Sequence, residues 1–385
     1  MVTEKHLRSS THNQRLNRKV NRKMFKRISI TALLLIVVLS LSVFADGWLG
    51  SRSTMPLRHT LDPLYDKLEN ELPSGLPQIL GDWFFVDTEN GASTNSGRSK
   101  DQAVANIVTA YGLCTTGDGD GIVLLSTGTT TANTTSLLDT TLVWSKYGIT
   151  VVGINSGTMY NMRSRISNST FVPGTAIHPH ALDCLIHVTG QNNSFYNVLI
   201  VNEGDSAVAV GALKVTGARN HFANCHFIGA VNATPAATTG ANDLFLIGSE
   251  NTFDRCTFGT NSIIRAAANA NIVLDGPTGQ CFFNGCHILS YSATAGHGAI
   301  KSYDATAISG WIVFRDCTFV NFSVNKGADL TSAVIGTNPN NVGILIHNCS
   351  LAGWAAWDSN AANNFVFVGS SAAAASGGGG IATAP

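Results

Sequence analysis

Six short segments decide the fold: SFYNVLI (194–200), HFANCHF (221–227), TFDRCTF (252–258), FFNGCHI (282–288), VFRDCTF (313–319) and LIHNCSL (345–351). Five are built around Cys225, Cys256, Cys286, Cys317 and Cys349, which follow one another at 31, 30, 31 and 32 residues, and the first carries Val198 at that place. A fixed period of this length announces a stacked, coiled architecture.

Three positions before the cysteine site stand Phe195, Phe222, Phe253, Phe283, Phe314 and Ile346; two positions after it stand Ile200, Phe227, Phe258, Ile288, Phe319 and Leu351. Side chains alternate along a strand, so a spacing of three would send phenylalanine and cysteine to opposite faces of one straight strand. A corner between them restores both to the interior. The residue just before the cysteine site is Asn197, Asn224, Arg255, Gly285, Asp316 or Asn348, mostly types that tolerate a left-handed backbone. Each coil therefore reads as a strand ending in phenylalanine, a bend, and a short strand with the cysteine inward. Upstream, the segments CLIHVTG, ALKVTG, DLFLIG and NIVLDG end at Gly190, Gly217, Gly248 and Gly276 and supply a third strand per coil. The pattern predicts an all-β, single-stranded right-handed parallel β-helix. One cysteine per coil lacks the paired spacing of a zinc site, and five cannot all pair as disulfides, so the ladder reads as small apolar filler.

The bulk composition agrees with a long β-rich core: 44% of the 385 residues are hydrophobic, 12% are charged and 38 are glycine. A formal charge of zero conceals an asymmetry. Residues 1–27 hold nine Lys/Arg and one acid, leaving 15 bases against 23 acids beyond. An acidic body without a basic stripe excludes nucleic acid as an expected partner.

Along the chain, a basic segment (1–27) precedes ISITALLLIVVLSLSVFA (28–45), read as a signal peptide cleaved near Ala45 or as a retained membrane anchor. Met24 begins a better signal than Met1 does. Residues 46–80, with Pro56, Pro63, Pro73 and Pro77, read as a linker or attachment segment. The β-helix is expected over 81–368, and the Ala/Gly-rich stretch 369–385 as a flexible tail. Ser99 and Gln102 stand in capping-box spacing, and Ala103, Ile107, Ala110 and Cys114 fall on one helical face, which predicts a short helix capping the first coil. Strands are expected at 122–126 and 149–154, separated by a Thr-rich loop.

Candidate chemistry is sparse. GDGDG (117–121) lacks the spacing of a calcium loop and reads as a turn. His178 and His180 lack a nearby third metal ligand. Sequons at Asn133, Asn168, Asn192, Asn232, Asn321 and Asn348 arise readily by chance in Asn/Thr/Ser-rich turns. Carbohydrate-cleaving sites need carboxylates gathered on neighbouring coils. The corner residues Asp254, Arg255, Arg315 and Asp316 are the candidates, two coils apart, although solvated surface charge is the commoner meaning of such residues. No cofactor or metal is expected.

WFFVDTENGASTNSGRSKDQA, GDGDGIVLLS, LVWSKYGITVVG and the ending GWAAWDSNAANNFVFVGSSAAAASGGGGIATAP resemble pectin-lyase-like β-helix proteins found among virion structural proteins of tailed bacteriophages. The resemblance spans about residues 81–385. It implies a non-enzymatic spike, fibre or decoration-like protein, homotrimeric, located in the virion, with other virion proteins or a cell-surface polysaccharide as partners. No catalytic residue is carried over. The apolar segment 28–45 supports a second reading, an exported bacterial β-helix that binds or cleaves polysaccharide as a lyase, hydrolase or adhesin, secreted or at the cell surface. A membrane contact would run only through that segment.

Overall fold

The computed structural model describes residues 79–125, 135–138, 140–154, 164–168, 183–276, 278–292, 294, 296–302, 310–322, 330, 332–336, 342–358, 365–368, 372–373 and 381–382. The basic segment, the apolar stretch 28–45, most of the linker, Asn133, His178 and His180 lie outside the described residues. Among the described residues, no helix is long and apolar enough to cross a membrane.

The coils stack into three parallel sheets, one of ten strands and two of eight. The first sheet runs from Trp83–Val86 to Phe365–Val368, the second from Thr135–Leu137 to Ser350–Ala352, and the third from Leu142–Trp144 to Ala356–Asp358. Every pairing within these sheets is parallel and joins strands of successive coils. The architecture is thus the parallel β-helix that the repeat predicts.

In-register stacking explains why the repeat uses the residues it does. Phe195, Phe222, Phe253, Phe283 and Phe314 are paired neighbours in the first sheet, and their stacked rings lie 5.0, 4.9, 4.7 and 4.4 Å apart. Phe227 and Phe258 form a second stack at 5.3 Å in the neighbouring sheet. Each cysteine thiol of the ladder donates to a phenylalanine carbonyl of the coil before: Cys225 to Phe195 (3.3 Å), Cys256 to Phe222 (3.3 Å), Cys286 to Phe253 (3.2 Å), Cys317 to Phe283 (3.3 Å) and Cys349 to Phe314 (3.4 Å). Cysteine is therefore more than a filler, since it combines small apolar volume with a weak donor. All eight cysteines are buried free thiols.

The corner before each cysteine is left-handed, with φ of 58° at Asn197, 51° at Asn224, 53° at Arg255, 60° at Gly285, 54° at Asp316 and 50° at Asn348. A second left-handed corner precedes four consecutive first-sheet strands, at Asn192, Arg219, Glu250 and Gln280, with φ of 55°, 59°, 58° and 53°. The residue types Arg, Glu and Gln gave no warning of it. Beside this corner lies a ladder of buried asparagines. Asn220 Oδ1 accepts from the Asn193 backbone N–H (3.0 Å) and Asn251 Oδ1 from that of Asn220 (2.9 Å). Their Nδ2 groups donate to the carbonyls of Lys146, Gly190 and Gly217. Consecutive turns approach so closely that a Cβ at Gly217 would lie 1.8 Å from the Gly190 carbonyl oxygen.

Three local expectations are corrected. The helix at the start of the stack is Ile107–Leu113, and its N-cap is Asn106, whose side chain accepts from the Thr109 N–H at 2.9 Å. Ser99 instead precedes a 3-10 turn, Lys100–Gln102, and makes no side-chain cap hydrogen bond. Asn106 wins because the buried face, Ala103, Ile107, Ala110 and Cys114, orients the helix over the first coil and sets its start. Tyr111 of this helix packs at a tilt against Trp144 (4.3 Å), and Trp144 against Phe195 (5.1 Å), so aromatic contact continues into the cap. The Thr-rich loop contains two strands, Thr135–Leu137 and Leu142–Trp144, because pairing with the next coil outweighs its turn-like composition. In the tail, Ala372–Ala373 pairs antiparallel with Ile381–Ala382, since backbone pairing needs no large side chain.

Candidate functional site

The outer face of the ten-stranded sheet gathers the titratable side chains that the interior excludes. In successive coils, register places Tyr196, Ala223, Asp254, Asn284, Arg315 and His347 in one outward column. His221 stands in the adjacent column, between Ser194 and Thr252. Asp254 and Arg315 thus share a column and are separated by one coil, about 10 Å at the spacing of paired strands. Arg255 and Asp316 occupy the left-handed corners, where both are exposed.

A hydrogen-bonded chain crosses these coils. His221 Nε2 and Asp254 Oδ2 are 2.7 Å apart, with side chains 35% and 30% exposed. Asn284 Nδ2 donates to Asp254 Oδ1 at 2.8 Å, and Tyr196 Oη lies 3.5 Å from His221 Nδ1. Partial burial pushes the Asp254 carboxyl up, but hydrogen bonds from His221 and Asn284 and the charges of His221 and Arg255 outweigh it and hold the group below its ordinary range. The histidine–carboxylate pair stands partly open to solvent on this face, where it can hydrogen-bond to an approaching polar group. Asp316, for its part, accepts from Asn348 Nδ2 at the corner. The structure brings Asp254 and Arg315 onto one face and does not bring Asp316 to them. His221 and Tyr196 went unremarked in the sequence, and Asn284 was read only as lacking a carboxylate; their signal was the alternation of polar residues around the column of phenylalanines.

Other polar clusters are structural. Asp120 of GDGDG accepts from the backbone N–H groups of Asp82 (2.8 Å) and Thr115 (2.7 Å), which fixes a turn. Asn168 and Asn321 are buried and hydrogen-bonded. Among the described residues, no group of three His, Cys, Asp or Glu side chains is disposed to hold a metal ion. The carboxylate of Asp243, fully buried, accepts from Arg265 Nη2 (2.5 Å), the Gly229 N–H (2.7 Å) and Asn271 Nδ2 (2.8 Å).

Three buried histidines, His187, His226 and His297, give a pH dependence. His226 donates from Nε2 to the Gly259 carbonyl (2.8 Å), and burial pushes its pKa down to about 4. Burial, with the Arg265 charge, pushes His297 down to about 3. Protonation therefore favours the unfolded chain, where the pKa is about 6.5. Stability is full above that pH and is lost as the pH falls through 6.5 towards 4. For His226 the loss is on the order of 3 kcal/mol. Denaturant midpoints at pH 7.5 and 4.5 should show it, and His226→Gln, which keeps an N–H donor, should flatten the difference; an unchanged slope in that variant would contradict the assignment.

The coil stack and its three parallel sheets define a parallel β-helix. Among solved structures the chain is similar to pectate lyase Pel9A, at 16% identity and a TM-score of 0.51, over 82% of this chain and 81% of that one. It is also similar to the pectin methylesterase from Aspergillus niger, at 15% identity and a TM-score of 0.49, over 78% and 86% of the two chains. A further likeness is to ORF18 of Geobacillus virus E2, at 9% identity and a TM-score of 0.32, over 84% and 64%. No family model and no curated protein matches the sequence.

Proposed function

We propose that the protein is a non-enzymatic structural or appendage component of a bacteriophage particle, a stiff rod that assembles with other virion proteins as a homotrimer. The observation that carries this reading is the continuity of the interior ladders. Phenylalanine, cysteine and asparagine columns lock coil to coil, and the Tyr111–Trp144 contact closes one end. Such a column resists bending because the coils from Phe195 to Phe314 share hydrogen bonds and ring contacts with their neighbours. The resemblance of residues 81–385 to virion β-helix proteins points the same way.

A second reading is an exported β-helix that binds or acts on polysaccharide. It is favoured by the apolar segment 28–45 and by the Tyr196–His221–Asp254 chain on an open sheet face. Fold alone does not choose between these, since function sits in a local site on the scaffold.

Peptide mass spectrometry on density-purified particles and on the soluble secreted fraction of the same culture separates the readings. Enrichment in particles is the expected result. Enrichment in the soluble fraction with an amino terminus at Asp46 would overturn the virion reading in favour of export.

A further inference from the structure

The outer face of the ten-stranded sheet changes character along the stack. The column just before each interior phenylalanine runs through Ser194, His221 and Thr252 in the earlier coils and through Phe282, Val313 and Leu345 in the later ones. Trp311 stands two residues before Val313 in the same strand, and so on the same face. Trp311 is 49% and Phe282 40% exposed, in a chain whose Trp144, Trp354 and Trp357 are buried. Aromatic side chains gathered at the surface of one sheet mark it as a surface for interaction.

The neighbouring column carries opposite charges placed symmetrically. Asp254 lies one coil before Asn284, and Arg315 one coil after it. When two such faces meet across a two-fold axis that runs along the strand Cys281–Asn284, the order of coils reverses and each column stands opposite itself. Asp254 of each copy then meets Arg315 of the other, Phe282 meets Phe282 on the axis, and Val313 meets Thr252. Trp311 meets the coil of Glu250, whose exposed ion pair with Arg219 (2.7 Å) offers a guanidinium to the indole face. An axis along either adjacent strand sets Arg315 against Arg315 or Asp254 against Asp254. An axis along the stack keeps each coil opposite itself and never brings Asp254 to Arg315. Charge therefore selects the antiparallel arrangement about Asn284.

We infer that this face docks a second copy of the chain, antiparallel and face to face, with two Asp254–Arg315 pairs flanking an apolar centre at Phe282. Three strands of the sheet follow Cys281–Asn284, so the overlap spans seven coils. That is an area of about 34 Å by about 15 Å, or roughly 500 Å² per copy. An interface of this size is weak and reversible. It occupies the first sheet alone and leaves the other two for the proposed homotrimer, so it doubles whichever unit stands without it.

Sedimentation velocity of the purified full chain, from low to high micromolar concentration, tests the pairing. The mass should double as concentration rises, and added salt should weaken the association. Arg315→Asp and Asp254→Arg each set like charges together at both pairs, and each should weaken association at least tenfold. The double variant Asp254→Arg/Arg315→Asp restores opposite charges across the axis and should recover the parent affinity. Phe282→Glu places two carboxylates on the axis, leaves both ion pairs and His221 intact, and should abolish the doubling at the parent melting temperature. A parent that never doubles, a Phe282→Glu variant that associates as the parent does, or a double variant that melts with the parent yet associates no better than the single variants would overturn the inference. All of these are read on free protein, so they stay separate from the search for the chain in particles.

Discussion

Replacing Cys286 with aspartate is expected to lower the stability of the protein at pH 7 by about 4–7 kcal/mol, the equivalent of the three to five pK units by which full burial shifts a carboxyl group. Cys286 is completely buried between Cys256 and Cys317, and its thiol is held by the Phe253 carbonyl at 3.2 Å. A carboxylate there would find an acceptor in place of a donor and no cation. The sign of its pH dependence is opposite to that of the histidines. The folded pKa of the new group lies above its unfolded value, so the penalty relative to the parent grows as pH rises from about 4 and vanishes when both states are protonated. Urea unfolding of parent and variant at pH 7 and pH 4.5 measures it. Equal midpoints at pH 7 would show that the ladder does not face inward.

Arg265→Met is expected to cost about 3–5 kcal/mol, because it strands the Asp243 carboxylate in the interior. The side chains of the pair are 2% and 0% exposed. Burial pushes the Asp243 carboxyl up, while the Arg265 charge and the donors Gly229 and Asn271 oppose that rise. The double variant Arg265→Met/Asp243→Asn removes the stranded charge and should recover part of the loss. Thermal unfolding of the three variants decides it; a double variant no more stable than Arg265→Met would show that packing by the guanidinium stem, and not its charge, is what matters. The pair pins a loop residue, Arg265, to a strand, Asn242–Leu246, at the one corner where coil lengths vary most.

The parts of the fold that were legible share one property: each was repeated in every coil. The phenylalanine and cysteine columns, and the left-handed corner between them, could be read because six copies of one frame average out local exceptions. The asparagine ladder was equally readable, since Asn193, Asn220 and Asn251 all stand two residues before a column phenylalanine, yet asparagine in a turn has several ordinary explanations. Ser99 failed as a cap for the opposite reason, because a capping box seen once carries no information about which side chain the buried helix face selects.

The outer face was less legible. Asp254 and Arg315 could be placed on it from the period, but the pairing of Asp254 with His221 could not, because those residues sit at different positions of their frames and meet only diagonally across two coils.

By itself, the sequence determined the stacked β-helix, its inward columns and its principal corner, because burial demands the same side chains at the same place in each coil. Tertiary structure alone decided the second corner, the Asp243–Arg265 pair and the His221–Asp254 contact, because each depends on which residues of different coils become neighbours. A period specifies register along the stack; only the folded turns specify what lies across it.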